Sequence, residues 1–393
     1  SGQNELDDKI SNTGCLIDGA IEFNNVNNVN FVECTFTHIG SIAVKMIGAV
    51  QNCTIEKSEF YDLSASAIAI GEVGLEEEIR NPSEEKCIKN ITISDNYIRK
   101  IGVDYHSSAA IGLGYLKDSV VKNNEICDGK YDGIHYGFGW KDTSPVITKN
   151  LVIKNNYLHD LMNAEPFDGG AIYLLGTTNG SEGMNYVTGN YIVDMKQPAG
   201  CLYPDEGSCY WTFENNVIDE YDFKKNQISK NGSWPKMQWI NSWAKELHHI
   251  YASSNYSTFT NYTNGGYPTF IDSVYAYEDG LFPEEAFEII KKSGVKNTEF
   301  GYGLQKVSVE EDFSIAKNET QNINIDAFTS KETEYDLNGA QIYSFCLNEN
   351  VARLQGTEVT GVSKGETEVV IYIVTMNKGR KELYSFRVNI TVS

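Results

Sequence analysis

The sequence has no run of eighteen apolar residues, so no membrane-spanning helix is expected. Basic residues are scarce: 32 Lys and Arg stand against 54 Asp and Glu, a formal balance of −22. A polyanion is therefore repelled at long range, and no nucleic-acid partner is expected. The eight cysteines form no CxxC pair and no zinc spacing, so neither a redox motif nor a metal site is read from them. Most fall inside periodic segments, where a buried thiol serves as a small apolar filler. The opening SGQNELDDKI lacks the basic start and apolar stretch of a signal peptide, so an exported protein would have had that segment removed. Aromatic residues, by contrast, reach 12%, led by 24 Tyr. That composition suits flat, polar-rimmed ligands such as sugars, and equally suits rigid interfaces.

A repeat sets the architecture. The segments NNVNFVECTF, QNCTIEKSEF, NITISDNYI, SVVKNNEI, LVIKNNYL, YVTGNYI and WTFENNVI each alternate apolar and polar residues around a recurrent polar position, mostly Asn. These positions are Cys34, Ser58, Asn96, Asn124, Asn156, Asn190 and Asn216, at spacings of 24, 38, 28, 32, 34 and 26. Unequal spacing argues against a propeller or a helical repeat. A second apolar strand follows in each unit: SIAVKM, SAIAIG, AAIGLG, DGIHYG, GGAIYLLG and GCLYPDEG. Short strands with a polar residue stacked at each bend are what a parallel β-helix requires, and the crossover rule makes it right-handed. The expected fold is all-β: a right-handed parallel β-helix over residues 1–303, followed by a small β-sandwich over 304–393.

Near residue 283 the pattern changes to FPEEAFEIIKKSG. Proline in the first turn, acids after it, lysines at the end and a closing glycine predict a short helix over 283–293, expected to cover the last coil's open edge. Nothing before residue 20 is long or amphipathic enough to cover the first rung. That face is expected to be capped by chain absent from this sequence or by a partner. The alternating segments after residue 304 predict the sandwich, and VTGVSKGETEVVIYIV resembles bacterial immunoglobulin-like modules, which accompany secreted and cell-surface enzymes.

Aligning the second strands on Ile134, Ile172 and Leu202 places His135, Tyr173 and Tyr203 side by side and outward, by the period of two. With coils about 4.8 Å apart, these three form one polar-aromatic strip able to bind a sugar ring. Trp140 offers an aromatic platform beside it. Asp132, Asp168, Asp205 and Glu206 cluster at the same coils, and glycoside hydrolysis needs two carboxyl groups roughly 5 to 9.5 Å apart. Acids beside glycine also serve turns for purely conformational reasons. His159 and Asp160 are expected to bond turn backbone. His248 and His249 are read as part of the last coil, and Trp234, Trp239 and Trp243 as a wall at one end of the groove.

The succession YDGIHYGFGW, NNYLHDLMNAEPFDGGAIYLLGT, GCLYPDEGS, FENNVI and FPEEAFEIIKKSGV resembles the right-handed β-helix proteins grouped with glycoside hydrolase family 141, over residues 30 to 300. That resemblance implies activity on plant cell-wall glycans and a catalytic pair at Asp168 and Asp205, with Asp132 and Glu206 as substitutes. Along straight strands Asp168 and Asp205 would lie about 20 Å apart at roughly 3.3 Å per residue, so a bend at Gly169 and Gly170 has to turn Asp168 back over the groove. The chain therefore reads as a glycosidase of a plant-type polysaccharide or oligosaccharide, secreted or on the surface of a bacterium, needing no cofactor and no metal. A polysaccharide lyase and a non-catalytic glycan-binding surface protein are the alternatives; the lyase falls behind because the strip holds no Lys or Arg to act as its base.

Overall fold

The computed structural model describes residues 17–219 apart from 139–143, 165–167, 180–184, 197–199, 206–207 and 209. It also describes 250–393 apart from 254, 258–268, 272–273, 277–282, 296–303, 310–311, 330–336, 338–339 and 378–379. Two compact units result, one formed by 1–280 with 292–296 and one by 281–291 with 297–393.

The first unit is a stack of coils whose strands pair in parallel, coil upon coil. Each full coil carries three strands rather than the two legible in the repeat. In the fifth coil they are Ile134–Gly137, Leu151–Lys154 and Tyr157–His159. The segment that reads as one strand, such as LVIKNNYL, is two strands separated by a bend at its paired polar residues. The first residue of each pair takes the left-handed conformation: Asp95, Asn123, Asn155, Gly189 and Asn215 all have φ between 53° and 65°. Asn, Asp and Gly tolerate that region best, which is why they recur there.

The second residue of the pair turns inward and builds a buried ladder. Asn96 Nδ2 donates to Asn124 Oδ1 at 2.9 Å, Asn124 to Asn156 at 3.0 Å, Asn156 to Asn190 at 3.0 Å and Asn190 to Asn216 at 3.0 Å. Each of these amides also donates to a main-chain carbonyl of its own or a preceding coil, as Asn156 does to Val121 O at 3.1 Å. Polar atoms that would be orphaned at a buried corner are thus satisfied.

Inside the stack, Ile55, Ile93, Val121, Ile153, Val187 and Phe213 form one column of a continuous core. The thiols of Cys53, Cys87 and Cys201 are buried, as small fillers. Strands of the second face are buried on alternate residues only, whereas those of the first face at 134–137, 172–175 and 202–204 are buried on both sides. Something therefore covers the outer side of the first face, and the candidate site lies there.

Further along, Ser293 Oγ donates to Gly189 O at 2.8 Å and Gly294 N to Asn155 O at 2.8 Å. In the first coil, Ile21, Phe23, Val26 and Phe31 are only partly buried against the core. The expected lack of a self-made cap concerns residues up to 20, of which 1–16 lie outside the described residues.

The second unit holds the helix Glu284–Lys292, on which Phe287 stacks with Tyr372 at 4.2 Å. Its expected role over the last coil falls partly on coil residues outside the described set. The rest is a four-stranded sheet ordered Asp312–Ile315, Arg380–Val392, Gly365–Asn377 and Gln341–Cys346, beside a three-stranded and a two-stranded sheet. Val359, Val369, Ile371, Ile373, Val388 and Ile390 form its own buried core, an arrangement that fits a small sandwich.

Candidate active site

The outward residues of the first face run in register from coil to coil: Glu22, Lys45, Ala69, Gly112, His135, Tyr173 and Tyr203. Period-two alternation puts all seven on one line. Tyr173 and Tyr203 stack with ring centroids 4.8 Å apart and planes 12° from parallel. His135 meets Tyr173 edge to face at 4.8 Å.

Each stacked tyrosine holds one carboxylate. Tyr173 Oη donates to Asp205 Oδ2 at 2.6 Å, and Tyr203 Oη to Asp168 Oδ1 at 2.8 Å. Asp168 and Asp205 are thus bonded to the hydroxyls of two neighbouring, stacked rings. Asp168 is exposed, whereas Asp205 is 5% exposed. Burial drives the phenol pKa of Tyr173 well above its ordinary value and the Asp205 charge adds to it, so the phenol stays protonated and remains a donor.

Asp168 is joined to the strip by Tyr203, and the chain packs closely at the adjacent Gly169 and Gly170. A Cβ on Gly170 would lie 2.1 Å from Gly200 O, and one on Gly169 would lie 2.2 Å from Asp132 Oδ1. Only glycine permits the chain to pass that close. Tyr131 Oη fixes the turn by donating to Asp168 O at 2.6 Å. Gly170→Ala is expected to destabilise the fold by roughly 2–4 kcal/mol, because the clash is with backbone. Gly112→Ala, whose Cβ meets nothing closer than 4.0 Å, is expected to be nearly neutral; equal shifts in the two denaturation midpoints would refute the account.

Asp132 is placed differently. Its side chain is fully buried, Oδ2 lies 2.8 Å from His135 Nδ1, and Oδ1 accepts from Gly170 N at 2.8 Å. Burial pushes its carboxyl pKa up, and the His135 and Gly170 bonds oppose that rise. Beside His135 lies a hollow of about 30 Å³ lined by Ser66, Ala69, Gly112 and Gly137 among others. Among the described residues no group of three or more His, Cys, Asp or Glu is arranged to hold a metal ion.

The family model described as a right-handed β-helix region matches residues 19–261. The chain belongs to the right-handed β-helix family. A solved structure titled glycoside hydrolase is similar to it, with a TM-score of 0.51 and 21% identity over 72% of this chain. The alignment covers 41% of that protein, and at this identity the likeness concerns the fold. A search of curated proteins found no match.

In this β-helix the six residues Asp132, His135, Asp168, Tyr173, Tyr203 and Asp205 form one bonded constellation across three coils. Trp140 and Glu206 lie outside the described residues, as do Trp234, Trp239, Trp243, His248 and His249. Tyr131 was not anticipated, although its place directly before Asp132 in the coil was a usable signal. Nor was Lys45, three coils beyond His135 on the same outward line; contrary to expectation that line does hold a lysine, and it pairs with Glu22 at 3.1 Å.

His159 and Asp160 correct another expectation. They bond side chain to side chain rather than to turn backbone: His159 Nδ1 lies 2.9 Å from Asp160 Oδ2, and Lys196 lies 3.1 Å from Asp160 Oδ1. Burial alone would lower the His159 pKa, but Cys127, Asp160 and Glu125 together raise it well above the ordinary imidazole value. The third-face strand of the β-helix, Tyr157–His159, carries this group.

Proposed function

We propose that the protein is a glycoside hydrolase acting on a neutral or weakly charged plant-type polysaccharide or oligosaccharide. The observation that carries the reading is the pair of carboxylates, Asp168 and Asp205, each held by one hydroxyl of the stacked Tyr203 and Tyr173. Hydrolysis of a glycosidic bond takes one carboxyl that protonates the leaving oxygen and one that attacks carbon or activates water. Two acids bound to adjacent coils on one strip offer that division of labour. The tyrosine hydroxyls orient both carboxylates so that little is lost to reorganisation as charge develops. Tyr173 and Tyr203 are buried and hold the acids by their hydroxyls, and the exposed Asp168 marks the side from which a sugar arrives.

The net charge of −22 favours an uncharged glycan over a densely acidic one. Secretion or display on a bacterial surface, with the second unit acting as an immunoglobulin-like module, belongs to the same proposal.

The test is product identification. Incubated with arabinoxylan, pectin and fucosylated fragments, the protein is expected to release saturated reducing sugars from at least one of them. Unsaturated, ultraviolet-absorbing products would replace the reading with a lyase, and binding without any release would replace it with a glycan-binding protein.

A further inference from the structure

A fully buried acid that bonds an imidazole rarely serves turn geometry alone, and Asp132 has no surface with which to meet a substrate. Both of its oxygens are committed, one to His135 Nδ1 and one to Gly170 N, each at 2.8 Å. Ionised, Asp132 is acceptor-only, and the ring nitrogen facing it then carries the proton. In the neutral imidazole that leaves Nε2 as an acceptor. The ring is held on its face by the edge contact with Tyr173 at 4.8 Å, and it lines the hollow of about 30 Å³ over Ala69 and Gly112. Among the described residues, Nε2 has no hydrogen-bond partner within the protein and is not one of the buried, unpaired side-chain atoms.

We infer that Asp132 is a positioning residue that locks His135 in the Nδ1–H tautomer, so that Nε2 accepts a hydrogen bond from one hydroxyl of the saccharide at this hollow. The hollow is large enough to admit a hydroxyl-sized group. Ala69 and Gly112 keep it open, since any longer outward side chain in those two coils would fill it. The inference rests on the saccharide reading of the site for its ligand, but the tautomer claim stands on the geometry alone. It also gives Asp132 a role distinct from the two acids: through Gly170 it ties the turn that carries Asp168 to the imidazole that reads the sugar.

Replacing the carboxylate by its amide separates this role from a structural one. In Asp132→Asn the Gly170 N–H still requires an acceptor, so the amide oxygen stays there and the amide NH₂ faces His135. Nδ1 must then become the acceptor, and the proton moves to Nε2. Nitrogen-15 NMR of the imidazoles, with His135 assigned by the signals lost in His135→Gln, reads this directly. Wild type is expected to show a protonated Nδ1 and a bare Nε2, and Asp132→Asn the reverse. A bare Nδ1 in wild type, both nitrogens protonated at neutral pH, or a tautomer unchanged by the substitution would overturn the inference.

The second arm uses the saccharide. Arabinoxylan, pectin and fucosylated fragments are added to the wild-type protein, and the fragment that binds is expected to move the Nε2 signal. Its affinity is expected to fall about tenfold in Asp132→Asn, as for one lost hydrogen bond. An unmoved Nε2 signal on binding refutes hydroxyl recognition at His135. If a fragment binds through Nε2 but is never cleaved, the hydrolase reading fails while this one holds. Should Asp132→Asn fail to fold, or no fragment bind, the wild-type tautomer by itself decides the positioning claim.

Discussion

Asp168→Asn is expected to lower sugar release by at least about 10³-fold, equivalent to roughly 4 kcal/mol of transition-state stabilisation, and Asp205→Asn to do the same. The amide keeps the shape and can still accept from the tyrosine hydroxyl, through Tyr203 at Asp168 and through Tyr173 at Asp205. What it loses is the ability to carry a proton or to attack carbon. Oligosaccharide affinity should therefore change by less than about tenfold, which isothermal titration would register. The two variants also separate the roles. The variant of the general acid should recover on substrates with a good leaving group, because protonation of the departing oxygen is no longer needed. The variant of a nucleophile should recover with added azide. A loss below about tenfold in both variants, with the fold intact, would remove the carboxylate pair from the chemistry.

The largest expected effect on stability lies elsewhere in the same unit. Asn156 is fully buried and its Oδ1 accepts from both Asn124 N and Asn124 Nδ2 at 3.0 Å, while its Nδ2 donates to Val121 O and Asn190 Oδ1. Asn156→Ala removes all four bonds and leaves the Asn124 N–H and the Val121 carbonyl short of a partner in a dry corner. Each orphaned buried group costs about 1–3 kcal/mol, so the total is expected near 3–5 kcal/mol. Ser58→Ala, near the start of the ladder and equally buried, removes only two bonds, one from Cys34 N and one to Glu56 O, and is expected to cost about 1 kcal/mol. Chemical denaturation monitored by circular dichroism should rank the two in that order; a cost for Asn156→Ala below that of Ser58→Ala would refute the ladder's energetic role.

Much of this arrangement was legible in the sequence, and for physical reasons. Strand alternation has a strict period, so aligning Ile134, Ile172 and Leu202 was enough to put His135, Tyr173 and Tyr203 on one line. The Asn positions marked the corner because buried amides stacked at a coil spacing have few substitutes. The distance argument for Asp168 depended on the straightness of its strand, and the glycine pair Gly169–Gly170 was the sign that the chain packs closely there.

Other parts were hidden. The third strand per coil escaped because the left-handed residue before each ladder Asn adds a corner without interrupting the apolar pattern. The depth of the strip escaped as well: outward residues were expected to be open, yet Tyr173 is 0% and Tyr203 3% exposed. Burial of an outward face is a tertiary property with no local period. The bond between Asp132 and His135 also depends on backbone direction at Gly133, which composition does not specify.

The intervals between stacked corner residues, 24 to 38 positions apart, have a further implication for how such a molecule changes over time. The ladder clamps one vertex of every turn, and the surplus length is discharged at the others, as in the excursion containing Glu77–Arg80 between Ile68–Ile70 and Ile88–Ser94. A loop can thus grow, shrink or be exchanged without shifting the alignment of any strand above or below it. Under the proposed hydrolase function, specificity for a new glycan is open to revision one turn at a time, while the acids and their tyrosines keep their mutual spacing.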